Sequence, residues 1–230
     1  MIARSKRYKN SVKDISLEDE LSLKEALARL DSFGKAKFDE TVELSFSLGV
    51  DPKQSSLTVR GTVNLPNGSG KEIRVLVFTD KPDEALAAGA DIAGLDDLVS
   101  KIKDGWMDFD VALSTTSAMK SVRSVARVLG PRGLMPTPKA GTVTDEVDEA
   151  IKAVKAGRVE FKMDKTGSLA VVIGKRSFTP EQLQENAQTA LEAVMASRPD
   201  GLKVKFVKTI SVSSTMSPSV RIDGTSTAQS

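Results

Sequence analysis

Ile73-Arg74-Val75-Leu76-Val77-Phe78 is a short apolar run, while Thr41-Val42-Glu43-Leu44-Ser45-Phe46-Ser47-Leu48 alternates strictly between apolar and polar residues. The run is the signature of a parallel strand buried on both faces. The alternation is that of an antiparallel strand with one polar face. Two strand grammars in one chain imply two domains, and the 230 residues are enough for both.

Around Ile73–Phe78 the pattern alternates strand with helix. Helices are predicted near 82–89, 95–104, 117–129 and 145–156, with strands at 90–94 and 109–113. Such repetition implies βαβ units and a parallel sheet. Outside this stretch the alternating grammar rules. A capping box at Ser22 and Glu25 opens a helix carrying Leu23, Ala26, Leu27, Leu30 and Phe33 on one face, with Gly34 in the C-cap position. After the strand at 41–48, a turn on Asp51-Pro52 leads to a strand near 57–65. Beyond Gly157, residues 159–163 and 169–173 alternate around the turn Asp164-Lys165-Thr166-Gly167 and predict a hairpin. Thr179, Pro180 and Gln182 start a helix that runs to about Ser197. A last strand covers about 203–214, and the tail GTSTAQS reads as disordered.

The predicted plan is an α+β domain, an antiparallel sheet with helices, formed by both termini (1–68 and 159–230). An α/β domain (69–158) is inserted into it. Glycines at both crossings make a hinge there a second expectation.

Composition closes off several chemistries. The chain has no cysteine and no histidine, which removes disulfides, thiolate metal sites and the usual neutral-pH general base. There is no apolar run of membrane-spanning length, and no apolar segment follows the basic start MIARSKRYKN. Neither a membrane nor a secretory signal is expected. Gly68-Ser69-Gly70-Lys71 lacks the earlier glycine and following hydroxyl of a phosphate loop. No G-x-G-x-x-G follows Phe78. No cofactor, metal or small-molecule substrate is therefore expected, and an enzyme of nucleotides is the disfavoured rival to a binding protein.

Net charge is only +2, but residues 69–158 hold 13 basic and 14 acidic side chains while the flanks hold 20 and 17. The flanks are thus the better place for a nucleic acid. Arg4, Lys6, Arg7 and Lys9 read either as an arm that orders on phosphates or as a solvated terminus. Residues 130–142 hold three glycines, three prolines, Arg132 and Lys139. They form either a rigid structural loop or one that presents cations. Thr215-Met216-Ser217-Pro218-Ser219-Val220-Arg221 could offer hydroxyls and backbone to RNA, though chemistry alone favours a turn that ends the sheet.

Seven blocks, in order and spacing, resemble the family of large ribosomal subunit protein one, the lateral stalk protein. They are Lys37–Glu43 (KFDETVE), Val59–Pro66 (VRGTVNLP), Asp104–Asp110 (DGWMDFD), the 130–143 loop, Ala156–Phe161 (AGRVEF), Asp164–Gly167 (DKTG) and Thr215–Arg221 (TMSPSVR). The resemblance implies a Rossmann-like inserted domain that binds no dinucleotide, and an outer domain that grips ribosomal RNA. It implies that Lys37, Phe38, Thr41 and Glu43 line the RNA surface with Thr215, Met216 and Ser217, and that Lys165 and Lys175 contribute. It further implies a non-enzymatic constituent of the large (50S) subunit in the cytoplasm. Such a protein binds the rRNA stalk beside the tRNA exit site, assists release of deacylated tRNA, and represses translation of its own messenger RNA. Two positions depart from the family's usual pattern: Ser217 stands where glycine is usual, and Thr137 where asparagine is. A serine at 217 would be strained if its φ were positive. With so few aromatics, 4% of the chain, recognition is expected to use backbone, hydroxyls and Glu43 rather than base stacking, with Phe38 and Met216 as apolar contacts.

Overall fold

The computed structural model describes residues 5–13, 19–51, 57–199, 202 and 204–223, without the side chain of Lys139. The expected turn at Asp51-Pro52 lies partly, and Arg4 and the tail GTSTAQS wholly, outside the described residues. The chain divides into two compact units, Met1–Gly70 with Val159–Ser230, and Lys71–Arg158.

The first unit opens with α1 (Lys6–Val12), β1 (Glu20–Leu21), α2 (Leu23–Ser32), β2 (Thr41–Leu48) and β3 (Arg60–Asn64). The second contains β4 (Val75–Phe78), α3 (Pro82–Ala87), β5 (Ile92–Gly94), α4 (Asp96–Lys103), β6 (Val111–Ser114), α5 (Met119–Val122), α6 (Ala126–Leu129) and α7 (Val147–Lys155). The chain then completes the first unit with β7 (Arg158–Lys162), β8 (Ser168–Lys175), α8 (Pro180–Ala196), β9 (Val207–Ser214) and β10 (Val220–Ile222).

In the second unit, β4 lies between β5 and β6, all parallel. Its alternate side chains explain the apolar run. Leu76 and Phe78 pack with Leu98, Ile102, Val122 and Leu129 on one face, and Val75 and Val77 with Ala85, Ile151 and Val154 on the other. A strand covered by helices on both sides has no face for polar residues.

In the first unit, five strands run in the order β1-β10-β9-β2-β8. Val42, Leu44, Phe46 and Leu48 of β2 pack with Leu23, Leu27 and Leu30 of α2 and Ala187, Leu191 and Val194 of α8. Each such fully buried Leu or Phe stabilises the unit by roughly 1.5–3 kcal/mol relative to exposure. The opposite face carries Thr41, Glu43, Ser45 and Ser47 and stays half-exposed. Both predicted capping boxes are present, at Ser22 with Glu25 and at Thr179 with Gln182.

Several expectations are corrected. The basic start forms a short helix over Lys6–Val12, capped by Ser5 and with none of its residues buried. The strands on either side of Asp164–Gly167 are not a hairpin: β8 pairs with β2, while β7 pairs with β3 in a separate two-stranded sheet. The β3–β7 pair needs a glycine at position 61, where a Cβ would meet the Phe161 ring at 2.7 Å. Gly34 is not a left-handed cap. Phe33 turns extended to bury its ring, and Arg176 bonds the Leu30 carbonyl that a glycine motif would otherwise satisfy, together with the Phe33 carbonyl beyond it. The helix expected over 117–129 breaks at Arg123–Val125, where Val125 leaves helical geometry and Ser124 bonds back to the Ser121 carbonyl. The short strands β1 and β10 were not predicted. They make a parallel pair, Glu20 opposite Arg221, at the sheet edge.

Candidate nucleic-acid interface

β2 and β9 bring the N-terminal and C-terminal candidates together. Val42 faces Ser214 in this antiparallel pair, so the chain beyond Ser214 passes the start of β2. Thr215 donates its amide to the Thr41 carbonyl and accepts the Thr41 amide on its hydroxyl, both at 3.0 Å. Residues 215–219 are then the connection between β9 and β10. Met216, 52% exposed, projects from it.

On the other side of β2, a bulge in β8 sets the position of Lys175. Leu169, Val171 and Ile173 point into the core, and simple alternation would send residue 175 after them. The register slips between Val42 and Glu43, so that Val42 faces Gly174 and Thr41 faces Lys175. The extra residue flips the strand. Lys175 emerges on the polar face, 2.9 Å from the Thr41 hydroxyl, and Arg176 turns inward. Gly174 is required here: its φ is 149°, and a Cβ would meet the Phe178 ring at 2.8 Å.

The turn at 36–38, with Lys37 and a 54% exposed Phe38, is held by a residue that the sequence reading passed over. Glu40 is 1% exposed. One of its carboxylate oxygens accepts the Ala36 amide at 2.7 Å. The other accepts the Ser214 hydroxyl at 2.5 Å and the Met216 amide at 3.1 Å. Arg176 lies 3.5 Å away and donates to the carbonyls of Leu30, in the last turn of α2, and Phe33, just past its end, at 2.8 and 2.6 Å. Burial opposes the ionised form of Glu40, but the bonds from Ser214, Ala36 and Met216 and the charge of Arg176 outweigh it, so its pKa is lowered. The signal was present in the sequence. Glu40 shares the parity of Val42, Leu44 and Phe46, the face that goes inside.

Lys37, Phe38, Thr41, Lys175, Thr215, Met216 and Ser217 thus occupy one end of the sheet, with Glu43 one step inward on the same face as Thr41. Ser217 takes no left-handed conformation, since no described residue other than glycine has positive φ. Its hydroxyl accepts the Ser214 amide and reaches the Pro218 carbonyl, both at 2.9 Å. The strain expected there is absent. Lys165 is not in this group. It sits beyond Ser168, which faces Ser47, seven β8 residues from Lys175 and so about 23 Å away. Asp164 shapes its turn, accepting from the Thr166 hydroxyl and amide and the Ser168 amide, bonds that lower the Asp164 pKa. Arg7 of α1 packs against Gly34 and reaches the Met216 carbonyl at 3.5 Å.

Among the described residues no group of acidic side chains could hold a metal ion, and no helix is long and apolar enough to cross a membrane. What the site offers is a sheet end of backbone, hydroxyls, two lysines and two exposed apolar side chains.

The first unit is thus an α+β body formed by both ends of the chain and the second an α/β insertion, and comparison with known proteins gives the family. Residues 28–218 match the Ribosomal protein L1p/L10e family. The chain is 48% identical to "Large ribosomal subunit protein uL1" of Kosmotoga olearia, over 97% of each chain. It is 46% identical to the protein of that name in Solidesulfovibrio magneticus, over 97% of this chain and 96% of the relative. For the Persephonella marina protein the identity is 48%, over 97% and 95%. The chain belongs to the Ribosomal protein L1p/L10e family.

Proposed function

We propose that this protein is a non-enzymatic constituent of the large ribosomal subunit that binds the rRNA of the lateral stalk through the end of its five-stranded sheet. Membership in a family of ribosomal proteins, with relatives named for the large subunit, supports the first half. The observation that carries the second is the convergence of the turns at 36–38 and 215–217 on one carboxylate, that of Glu40.

The chemistry suits a folded RNA. A threonine hydroxyl has one proton and two lone pairs. Thr41 uses one lone pair on Lys175 and keeps its proton for a 2′-hydroxyl or base edge. Glu43 supplies an acceptor for base amino groups. Phe38 and Met216 cover sugar or base faces, and Lys37 and Lys175 supply a salt-dependent attraction to phosphate. Lys165 would meet the same RNA farther along. On the ribosome this surface would let protein and stalk move together, contact deacylated exit-site tRNA and assist its release. The same surface would recognise a stalk-like structure in the protein's own messenger RNA and repress its translation.

Filter binding of a short stalk fragment to the wild type and to Phe38→Ala and Thr215→Ala tests this. Both variants should bind more weakly. Undiminished affinity in both would remove the assignment.

A further inference from the structure

Glu40 is too buried to touch RNA, yet every group it holds leads to a segment that carries proposed contacts. Ala36 precedes Lys37 and Phe38, the Met216 amide lies between Thr215 and Ser217, and Arg176 follows Lys175. These segments are far apart in sequence and meet at this carboxylate. We propose that Glu40 is the positioning residue of the RNA surface, fixing the 36–38 and 215–217 turns and the end of β8 in the geometry the RNA requires. The proposal rests on the RNA-binding function above and goes beyond it in assigning the surface's shape to one buried group.

An apolar residue could fill the same space but not the same role. Three donors, the Ala36 and Met216 amides and the Ser214 hydroxyl, would lose their acceptor. Arg176 would lose its only nearby anion among the described ion pairs, and its Nε and Nη1 already lack hydrogen-bond partners. The α2 end would loosen as well, because Arg176 holds it. A neutral amide of the same length keeps one acceptor oxygen of two. Glu40→Gln therefore releases one turn from the other while keeping side-chain volume. The loss it causes should fall on shape-specific recognition, not on phosphate attraction, since no exposed cation is removed.

The test is a double-mutant cycle on the full-length protein with the stalk fragment, using Glu40→Gln, Thr215→Ala and the pair. Glu40→Gln should weaken binding about tenfold or more, within the range of losing a specific contact. The slope of log affinity against log salt should not change. Thr215→Ala should cost less in the Glu40→Gln background than in the wild type, because the turn is already displaced. A residue that merely supports the fold would give additive losses, and additivity overturns the proposal. Wild-type affinity in Glu40→Gln, with Thr215→Ala still impaired, also overturns it but leaves the RNA-binding function standing. If Thr215→Ala and Phe38→Ala both bind like the wild type, the RNA-binding function itself fails. Should Glu40→Gln not fold by circular dichroism, Ser214→Ala takes its place in the cycle, with the same criterion of coupling.

Discussion

The Thr41 amide donates to the Thr215 hydroxyl at 3.0 Å, while the Thr41 carbonyl accepts the Thr215 amide at the same distance. The side chain proposed to meet RNA therefore also closes the sheet end. Thr215→Ala should weaken binding by about 1–3 kcal/mol, the range for a specific contact, and should lower the urea midpoint slightly. Phe38 is 54% exposed and lies outside the buried core. Phe38→Ala should cost a similar amount in binding, as for a stacking side chain, with stability unchanged within about 0.5 kcal/mol. Parallel filter-binding and urea titrations separate the two behaviours.

Lys165 lies at the opposite end of β8 from Lys175. Its exposed turn makes it a phosphate contact at most. Lys165→Ala should reduce the salt slope by about 1, leave discrimination between matched and scrambled RNA intact, and add to Thr215→Ala without coupling. Coupling between these two would show that the RNA does not lie along the sheet as proposed.

The difference between these two lysines also marks where the sequence was legible. Strict alternation at 41–48 and the apolar run at Ile73–Phe78 yield the two strand types directly, since burial on one face or two dictates side-chain period. Both capping boxes are local hydrogen-bond patterns and were readable for that reason. The bulge at Gly174 was not. It depends on how β8 registers against β2, and without it Lys175 belongs on the apolar face. Glu40 lay in plain view as a charge on the core parity of β2. Its partners, Arg176 and Ser214, are 136 and 174 positions away and declare themselves only when the sheet is assembled. The false hairpin at 164–167 has the same origin: a good turn sequence does not say which strands pair.

Asn186 is another buried polar group with a long-range task. It is fully buried on α8, accepts the Asn67 amide at 3.0 Å, and donates to the carbonyls of Gly68 at 3.0 Å and Ile173 at 2.8 Å. It ties the Pro66–Gly70 segment to the helix and to β8. Asn186→Ala leaves these groups unpaired, and at about 1–3 kcal/mol for each buried unsatisfied group the urea midpoint should drop clearly. Hydrogen exchange at Asn67 should quicken in the same variant.

Among the described residues five carboxyls have lowered pKa values, that of exposed Glu25 through the Ser22 hydroxyl and amide at its helix cap. Glu40 does so despite burial, through Ser214, Ala36, Met216 and Arg176; Asp91 through the Val75 amide, and Asp110 through Lys71. For Asp164 the Thr166 hydroxyl leads. A carboxyl depressed in the folded state adds stability above its unfolded pKa, about 4, and loses it as pH falls through the folded value. Stability should therefore be flat from neutral pH to about 5 and fall below about 4. In Glu40→Gln the fall should be shallower, because one of the titrating groups is gone. An equally steep fall in that variant would show that Glu40 is not among the groups responsible.

The most direct measurement is the affinity of the purified protein for a short large-subunit rRNA stalk fragment and for a scrambled hairpin of equal length, at two salt concentrations. The proposed surface predicts a preference for the stalk of roughly a thousandfold or more, the low end for specific over non-specific binding, which persists at the higher salt. Equal affinities that fall together with salt would contradict it, leaving only general attraction between lysines and phosphate.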